Sequence, residues 1–244
     1  GASAAASRSR VKRMDWSWLP EYLPRFAEGL WLTIQLLVWS IVIGMSLAIP
    51  IGLVQVTGPR PLAWLARGFT TVIRGTPLLI QLWLIYYGVG SLFPSMPGIR
   101  DSFLWPYLRE AFPYAVLAFS LSVAGYEGEI MRGAFRGVPK GELEAARAVG
   151  MTPFQVLRRV WLPRALQNTF PTLTGDFILT LKATPLAASI TVFEVYGIGS
   201  IVRQETYKIY EPLLFVAAIY LCLTGVLVLG FRYLENRIPK QSRS

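Results

Sequence analysis

The sequence contains no histidine and only one cysteine, Cys222, among its 244 residues. The absence of histidine excludes imidazole metal sites and catalytic triads with a histidine base. A single cysteine excludes an intrachain disulfide. No GxxxxGK[ST] phosphate loop occurs, so we expect no cofactor in this chain, and any ATP chemistry would belong to another chain. Charged residues are also few, at 16%.

The residues that are abundant are apolar. Hydrophobic residues make up 53% of the chain, and several uncharged runs reach the roughly 20 residues that cross a bilayer. The net charge of +10 raises a nucleic-acid binder as the first alternative. The basic residues, however, lie between apolar runs and not in one patch, which is typical of loops that flank a membrane. We therefore predict an all-α integral membrane protein.

Five transmembrane spans are predicted, at residues 29–59, 69–92, 113–131, 168–189 and 212–231. Residues 1–28 are predicted to be a tail followed by an interfacial segment that aromatic residues anchor; whether residues 1–13 are native stays open. Residues 29–232 would form the transmembrane domain, with a coupling loop at 133–165 and a polar tail at 233–244. Residues 192–211 are predicted to be a gating or surface segment outside the membrane.

The second span begins with a run, RGTPLL, that combines polar and helix-breaking residues. Gly75 and Pro77 predict a break at the start of this helix, which leaves Thr76 and Gln81 as polar groups facing the bundle. The alternative interpretation is a helix cap followed by an interfacial arginine, Arg74. Both interpretations stay open at this stage.

The third span carries two carboxylates near its end, Glu127 and Glu129. Glu129 and Arg132 are three positions apart, so they can pair on one helix face. An ionisable residue inside a membrane is a functional candidate, because burying its charge is costly. The alternative is that both glutamates already lie at the hydrated end of the helix.

The fourth span contains Asp176, Lys182, Thr184 and Pro185. Pro185 leaves backbone carbonyls without partners, and Lys182 is costly in hydrocarbon unless it is paired or hydrated. Together they predict a broken helix that lines a cavity. The alternative is a lysine that extends along the helix to the membrane surface.

A polar, basic stretch, GELEAARAVGMTPFQVLRRVWLP, occupies residues 141–163 between apolar segments. Residues 142–149 predict a short helix, which Gly150 would end in the left-handed region. Thr152 and Gln155 predict the capping box of a second helix, ended by Pro163. One face of that helix would be apolar: Phe154, Leu157, Val160 and Trp161. The simpler interpretation is a connecting loop with two surface helices.

The same stretch resembles the EAA motif of ATP-binding cassette (ABC) importer permeases. Its parts are Glu144-Ala145-Ala146, three residues, Gly150, nine residues, and then residues 160–163, VWLP. In that family the first helix docks into a cleft on a separate ATPase subunit. The resemblance thus implies that ATPase coupling involves Glu144, Ala145, Ala146, Gly150, Leu162 and Pro163.

Two further runs are similar to the polar amino-acid branch of this family: RGTPLL at residues 74–79 and YEGEIMRG at residues 126–133. Ala183 and Pro185 depart from the usual lysine-aspartate-threonine-serine-leucine pattern and resemble variants found in permeases for basic amino acids and opines. The candidate solute pathway comprises Arg74, Thr76, Gln81, Glu127, Glu129, Lys182 and Thr184.

The resemblance implies the five-helix MetI-like fold of type I importers and an alternating-access permease for polar amino acids or opines. The implied partners are a dimer of cytoplasmic ATPases that bind ATP and Mg, a second permease subunit (identical or paralogous), an extracytoplasmic solute-binding protein and membrane lipid, but no nucleic acid. A secondary transporter with proton-binding carboxylates and a membrane-embedded enzyme are the rival classes. The exact solute stays open, and so does the presence of a solute site in this subunit.

Charge asymmetry predicts the orientation in a bacterial inner membrane. With the EAA loop in the cytoplasm, 14 basic residues lie inside and 9 lie outside. This distribution favours an external N-terminus and a cytoplasmic C-terminus. The basic tail contradicts it, because four of the nine external charges precede Met14.

Overall fold

The computed structural model describes residues 14–237; the predictions for residues 1–13 and 238–244 lie outside this range. The described residues form nine helices and no strand, which confirms the all-α class. The helices are α1 (Leu19–Thr57), α2 (Arg60–Gly75), α3 (Leu78–Ser95), α4 (Trp105–Leu108), α5 (Ala111–Gly137), α6 (Lys140–Ala148), α7 (Pro153–Ile190), α8 (Val195–Thr206) and α9 (Tyr210–Arg237). Five long helices, α1, α3, α5, α7 and α9, correspond to the five predicted spans.

Helix α5 lies at the centre of the bundle, and its longest interface is with α1. A Cβ atom added at Gly44 of α1 would lie 2.5 Å from Cβ of Val123 on α5, so glycine permits this close backbone approach. Helix α5 also contacts α2, α3 and α7. Its side chains therefore face protein more than lipid.

Among the described residues, three helices are long and apolar enough to cross a membrane: α1, α3 and α9. A fourth results if α7 and α8 count as one bent span, with 51° between them. On α9 the side chains of Leu221, Val226 and Leu229 are exposed, and no other helix of residues 14–237 covers them. Such an apolar surface is suited to lipid or to a second membrane subunit.

The second predicted span is divided into two helices. Helix α2 ends at Gly75, Thr76 has an extended backbone, and α3 begins only at Leu78. The predicted break at Gly75 and Pro77 is thus confirmed, but residues 69–75 belong to α2, an amphipathic helix before the span. The reason is that Pro77 disfavours a helical conformation in the residue before it.

Helix α7 contains two departures from regular α-helix. Residues Leu157–Trp161 form a π-helical turn, and the chain continues through Pro163 as a helix. The prediction that Pro163 ends the helix is therefore wrong. The π-helical turn is wider than an α-helical turn and accommodates the proline ring, because Pro163 lies at the start of the α-helix that follows the turn. At the other end, Thr184–Ile190 form a 3₁₀ helix, so the helix is irregular around Pro185 as predicted.

The aromatic residues before the first span lie in a protein core. Trp18, Tyr22 and Phe26 are buried against Val195 and Val202 of α8. Helix α1 begins at Leu19 and continues without interruption into the span. The expected interfacial anchor is thus the first two turns of α1, with its aromatic side chains packed against α8.

Candidate functional site

A cavity of about 260 Å³ lies between α3, α5 and α7, and two carboxylates line it. Glu127 comes from α5 and Asp176 from α7. The remaining lining is mostly apolar: Leu78, Phe119, Ser122, Val123, Tyr126, Leu179, Thr180 and Ala183. The arrangement offers acceptors for a cation at one point and apolar contact elsewhere.

Glu127 is 1% exposed, and its Oε2 atom has no hydrogen-bond partner within residues 14–237. The alternative that both glutamates lie at a hydrated helix end is therefore wrong for Glu127. Asp176, half-buried on the facing helix, was absent from the predicted site. Like Glu127, Asp176 is a carboxylate inside a predicted span, so it could have been singled out in the same way. That the two carboxylates line one cavity is evident only from the fold.

Arg74 and Glu129 line a second pocket of about 310 Å³, between α1, α2 and α5. Glu129 Oε1 accepts a hydrogen bond from Arg132 Nε at 2.8 Å, which confirms the predicted pair. The Arg74 guanidinium lies over the ring of Tyr126, 5.8 Å from its centroid. Tyr126 also lines the acidic cavity, so its ring lies between the two sites.

Thr76 and Gln81 interact with each other at the break between α2 and α3. Gln81 is buried, and its Nε2 donates to the carbonyl of Ile73 at 2.8 Å and to Oγ1 of Thr76 at 2.9 Å. These bonds satisfy backbone carbonyls that the break leaves free. The contacts favour the helix-cap interpretation, and neither residue lines the acidic cavity.

Lys182 is exposed and is not among the residues that line the acidic cavity. Its neighbour Ala183 and Thr180 face the cavity instead. Thr184 is fully buried, and its Oγ1 lies 2.8 Å from the hydroxyl of Tyr220 on α9. The broken helix thus lines the acidic cavity with Thr180 and Ala183, and not with Lys182 or Thr184.

The polar stretch folds as its local signals predict. Helix α6 ends in a Schellman motif: Gly150 has φ +83°, and the Met151 amide donates to the Ala146 carbonyl at 3.2 Å. Thr152 and Gln155 form the predicted capping box that begins α7. Both caps fix the path of the chain around α6.

The inner face of α6 packs on the end of α5. Leu143 and Ala146 are buried in a cluster with Met131 and Phe135, so Ala146 does not present a surface for docking. Arg164 Nε donates to Glu142 Oε2 at 2.8 Å and ties α6 to α7. Leu162 is a half-buried member of the same cluster, and Pro163 beside it is also half-buried.

The outer face of this stretch is exposed. Glu144 and Ala145 are on it, together with Val149, which is 74% exposed, and Phe154, which is 68% exposed. Phe154 is exposed although it belongs to the predicted apolar face, and Val156 is the residue of this turn that is buried. Two large apolar side chains thus flank the exposed turn at Gly150.

The chain resembles permeases in sequence and in structure. It is 39% identical to the octopine transport system permease protein OccM of Rhizobium radiobacter, over 89% of this chain and 87% of that protein. The arginine ABC transporter permease protein ArtM of Escherichia coli K12 is 35% identical, over 89% and 96%. A chain of the crystal structure of an amino acid ABC transporter with histidines superposes with a TM-score of 0.77 and 31% identity, over 92% and 99%.

Residues 30–240 match the family described as the binding-protein-dependent transport system inner membrane component. This range includes the acidic cavity, the break at Thr76 and the whole coupling stretch. The family match and the structural likeness together explain why the chain is a bundle of long apolar helices with one polar connection, the coupling stretch. The chain therefore belongs to the binding-protein-dependent inner membrane components of ABC transporters and is a membrane permease.

Proposed function

We propose that this permease imports a small organic cation, arginine or an arginine-derived opine, and that its guanidinium group binds between Glu127 and Asp176. The observation that carries the proposal is the convergence of two carboxylates from α5 and α7 on one cavity. Octopine and arginine both contain a guanidinium group, and they are the named solutes of two relatives.

A cationic ligand would supply the donor that Glu127 lacks among residues 14–237. Its Oε2 atom is buried without a hydrogen-bond partner there, and a buried acceptor without a donor is costly. A guanidinium group supplies planar N–H donors that match carboxylate geometry. The apolar lining from Phe119 and Leu179 suits the methylene stem of the same solute.

The outer face of α6 is the proposed contact with the ATPase. Glu144 and Ala145 are exposed there, and Val149 and Phe154 add apolar area that residues 14–237 leave uncovered. Gly150 sets the angle between α6 and α7 through its left-handed backbone. Closure of an ATP- and Mg-loaded ATPase dimer would move this face, and the movement would pass through the Glu142–Arg164 pair into α7.

The assembly would contain two permease subunits, two ATPases and an extracytoplasmic solute-binding protein. We propose an external N-terminus and a cytoplasmic C-terminus, because this orientation places α6 beside the ATPases and the larger number of basic residues inside. A reporter that is active only outside the cytoplasm should be silent after Gly141 and active within residues 95–109. Activity after Gly141 would contradict this orientation.

Citrulline tests the cation site, because it replaces the guanidinium of arginine with an uncharged group of nearly the same shape. Uptake should favour arginine in the intact transporter, and Asp176→Asn or Glu127→Gln should reduce this preference by about tenfold or more. Asp101→Asn, in the exposed connection between α3 and α4, is the matched control. Equal uptake of the two solutes by the unchanged protein would overturn the solute assignment. An unchanged preference in both cavity variants would overturn the site.

A further inference from the structure

The second pocket, of about 310 Å³, is rich in arginine. Four arginines and one carboxylate line it: Arg67, Arg74, Arg132, Arg136 and Glu129, together with Gln55, Thr70 and Thr71. It lies between the end of α1, the end of α2 and the last turns of α5. Helix α5 leads from this pocket directly into the coupling stretch.

Most of the positive charge in this pocket has no ion-pair partner in the part of the chain that the structure describes. Glu129 pairs with Arg132. Among residues 14–237, no carboxylate lies within 4.0 Å of the guanidinium groups of Arg67, Arg74 or Arg136. Three positive charges thus converge without compensation at a partly enclosed site, a distribution that attracts an anion.

A buried amide marks the inner end of the same pocket. Gln55 is 2% exposed, and neither its Nε2 nor its Oε1 has a hydrogen-bond partner in the described part of the chain. Amide groups buried in this way normally have partners. A ligand with several acceptor oxygens would satisfy Nε2 while its negative charge faces the arginines.

We propose that the arginine pocket binds a phosphate group. Guanidinium groups bind phosphate oxygens with two parallel hydrogen bonds, and several arginines can surround one phosphate. Helix α2 also exposes Leu62, Trp64, Leu65 and Val72. The helix therefore has the character of one that lies at the membrane surface, where phospholipid headgroups are the nearest phosphates. A soluble phosphate ester or inorganic phosphate offers the same chemistry.

The bound phosphate would hold together two helices, α2 and α5, whose positive charges otherwise repel one another. Arg67 and Arg74 belong to α2, and Arg136 belongs to α5, one residue before that helix ends. Neutralising these charges would stabilise the end of α5 that carries α6. The site is separate from the acidic cavity, so the proposal does not depend on the solute assignment.

The test uses the full chain, purified in uncharged detergent and titrated with phosphatidylglycerol, phosphatidylcholine or inorganic phosphate. Bound lipid is counted by native mass spectrometry. We expect saturable binding of phosphatidylglycerol that weakens as ionic strength rises, with an affinity about tenfold lower in Arg67→Gln or Arg136→Gln. Both residues are exposed, so these variants should fold. Arg60→Gln is the matched control, because Arg60 is an exposed arginine of α2 outside the pocket.

Gln55→Leu provides a second readout. It should raise the thermal midpoint of the lipid-free protein, because it removes an unpartnered buried amide, and it should reduce the stabilisation that the ligand adds. Competition by inorganic phosphate at equal concentration would identify a free phosphate as the ligand, and its absence would identify the lipid. The proposal would be overturned if neither phosphatidylglycerol nor inorganic phosphate bound saturably. An equal loss of affinity in Arg60→Gln, or displacement of the bound lipid by arginine, would also overturn it.

Discussion

The hydroxyl of Tyr220 on α9 donates a hydrogen bond to Glu194 Oε2 across 2.6 Å. Glu194 is fully buried at the start of α8, and its carboxylate also accepts from the backbone amides of Tyr196 at 3.0 Å and Gly197 at 2.9 Å. Thr184 Oγ1 lies 2.8 Å from the same hydroxyl. The end of α7 and the start of α8 are therefore both joined to the middle of α9 through the Tyr220 hydroxyl, and we expect this connection to hold the bend between α7 and α8.

Tyr220→Phe should lower the free energy of unfolding by about 1–3 kcal/mol, the usual cost of leaving a buried polar group without its partner. The measurement is thermal or denaturant unfolding of the purified permease. Tyr210→Phe is the control, since Tyr210 is on the same helix and is 74% exposed. Equal stability of the two variants would show that the Glu194 bond does not hold the bend.

Gly44→Ala should destabilise the interface between α1 and α5. The added Cβ would lie 2.5 Å from Cβ of Val123, so the helices must separate, at a cost of about 1–3 kcal/mol. Gly225→Ala on α9 is the matched control, because no atom lies within 4 Å of its added Cβ. That control should be neutral or slightly stabilising, since alanine favours a helix. Loss of stability in the control alone would contradict the packing role of Gly44.

Features that short stretches of sequence determine were predicted well. The left-handed Gly150, the capping box of Thr152 and Gln155 and the break before Leu78 each depend on residues within a few positions. The Glu129–Arg132 pair is local in the same sense. These interactions form within one turn of helix and do not require knowledge of neighbouring helices.

Features that depend on helix rotation and packing were not predicted. Lys182 and Ala183 are adjacent in sequence, yet only Ala183 faces the acidic cavity. Ala146, expected to contact the ATPase, is buried instead, because α6 packs on Phe135 with Ala146 inward. The partner of Glu127 across the cavity, Asp176, comes from another helix and becomes evident only from the tertiary fold.

Ala145→Arg and Ala146→Arg should have different effects, although the positions are adjacent. Ala145 is exposed, so an arginine there should leave the permease stable and block close approach of the ATPase. Ala146 is 6% exposed, so an arginine there should destabilise the permease itself. Thermal unfolding and co-purification of the ATPase separate the two results. Normal ATPase recovery with Ala145→Arg would contradict the proposed docking face.

Gly150→Val tests whether the turn after α6 transmits ATP hydrolysis. Gly150 has φ +83°, and a β-branched residue in the left-handed region costs on the order of 1–2 kcal/mol. No atom lies within 4 Å of an added Cβ at this position, so the strain is in the backbone and not in packing. The chain can relieve this strain by changing the direction from α6 to Thr152. The five long helices lie outside this turn and should assemble normally.

The expected phenotype is therefore specific to coupling. Gly150→Val should be inserted in normal amounts, but ATP hydrolysis in the assembled transporter should no longer respond to solute, or the ATPase should be lost on purification. Gly141→Val is the matched control: it also has open space around the added Cβ, and its backbone lies outside the left-handed region. It should retain coupling, because its helical backbone accepts a side chain and valine has a higher helix propensity than glycine. Wild-type coupling in Gly150→Val would show that the angle of this turn is not part of the mechanism. Equal loss in both variants would point to a general intolerance of bulk on this surface.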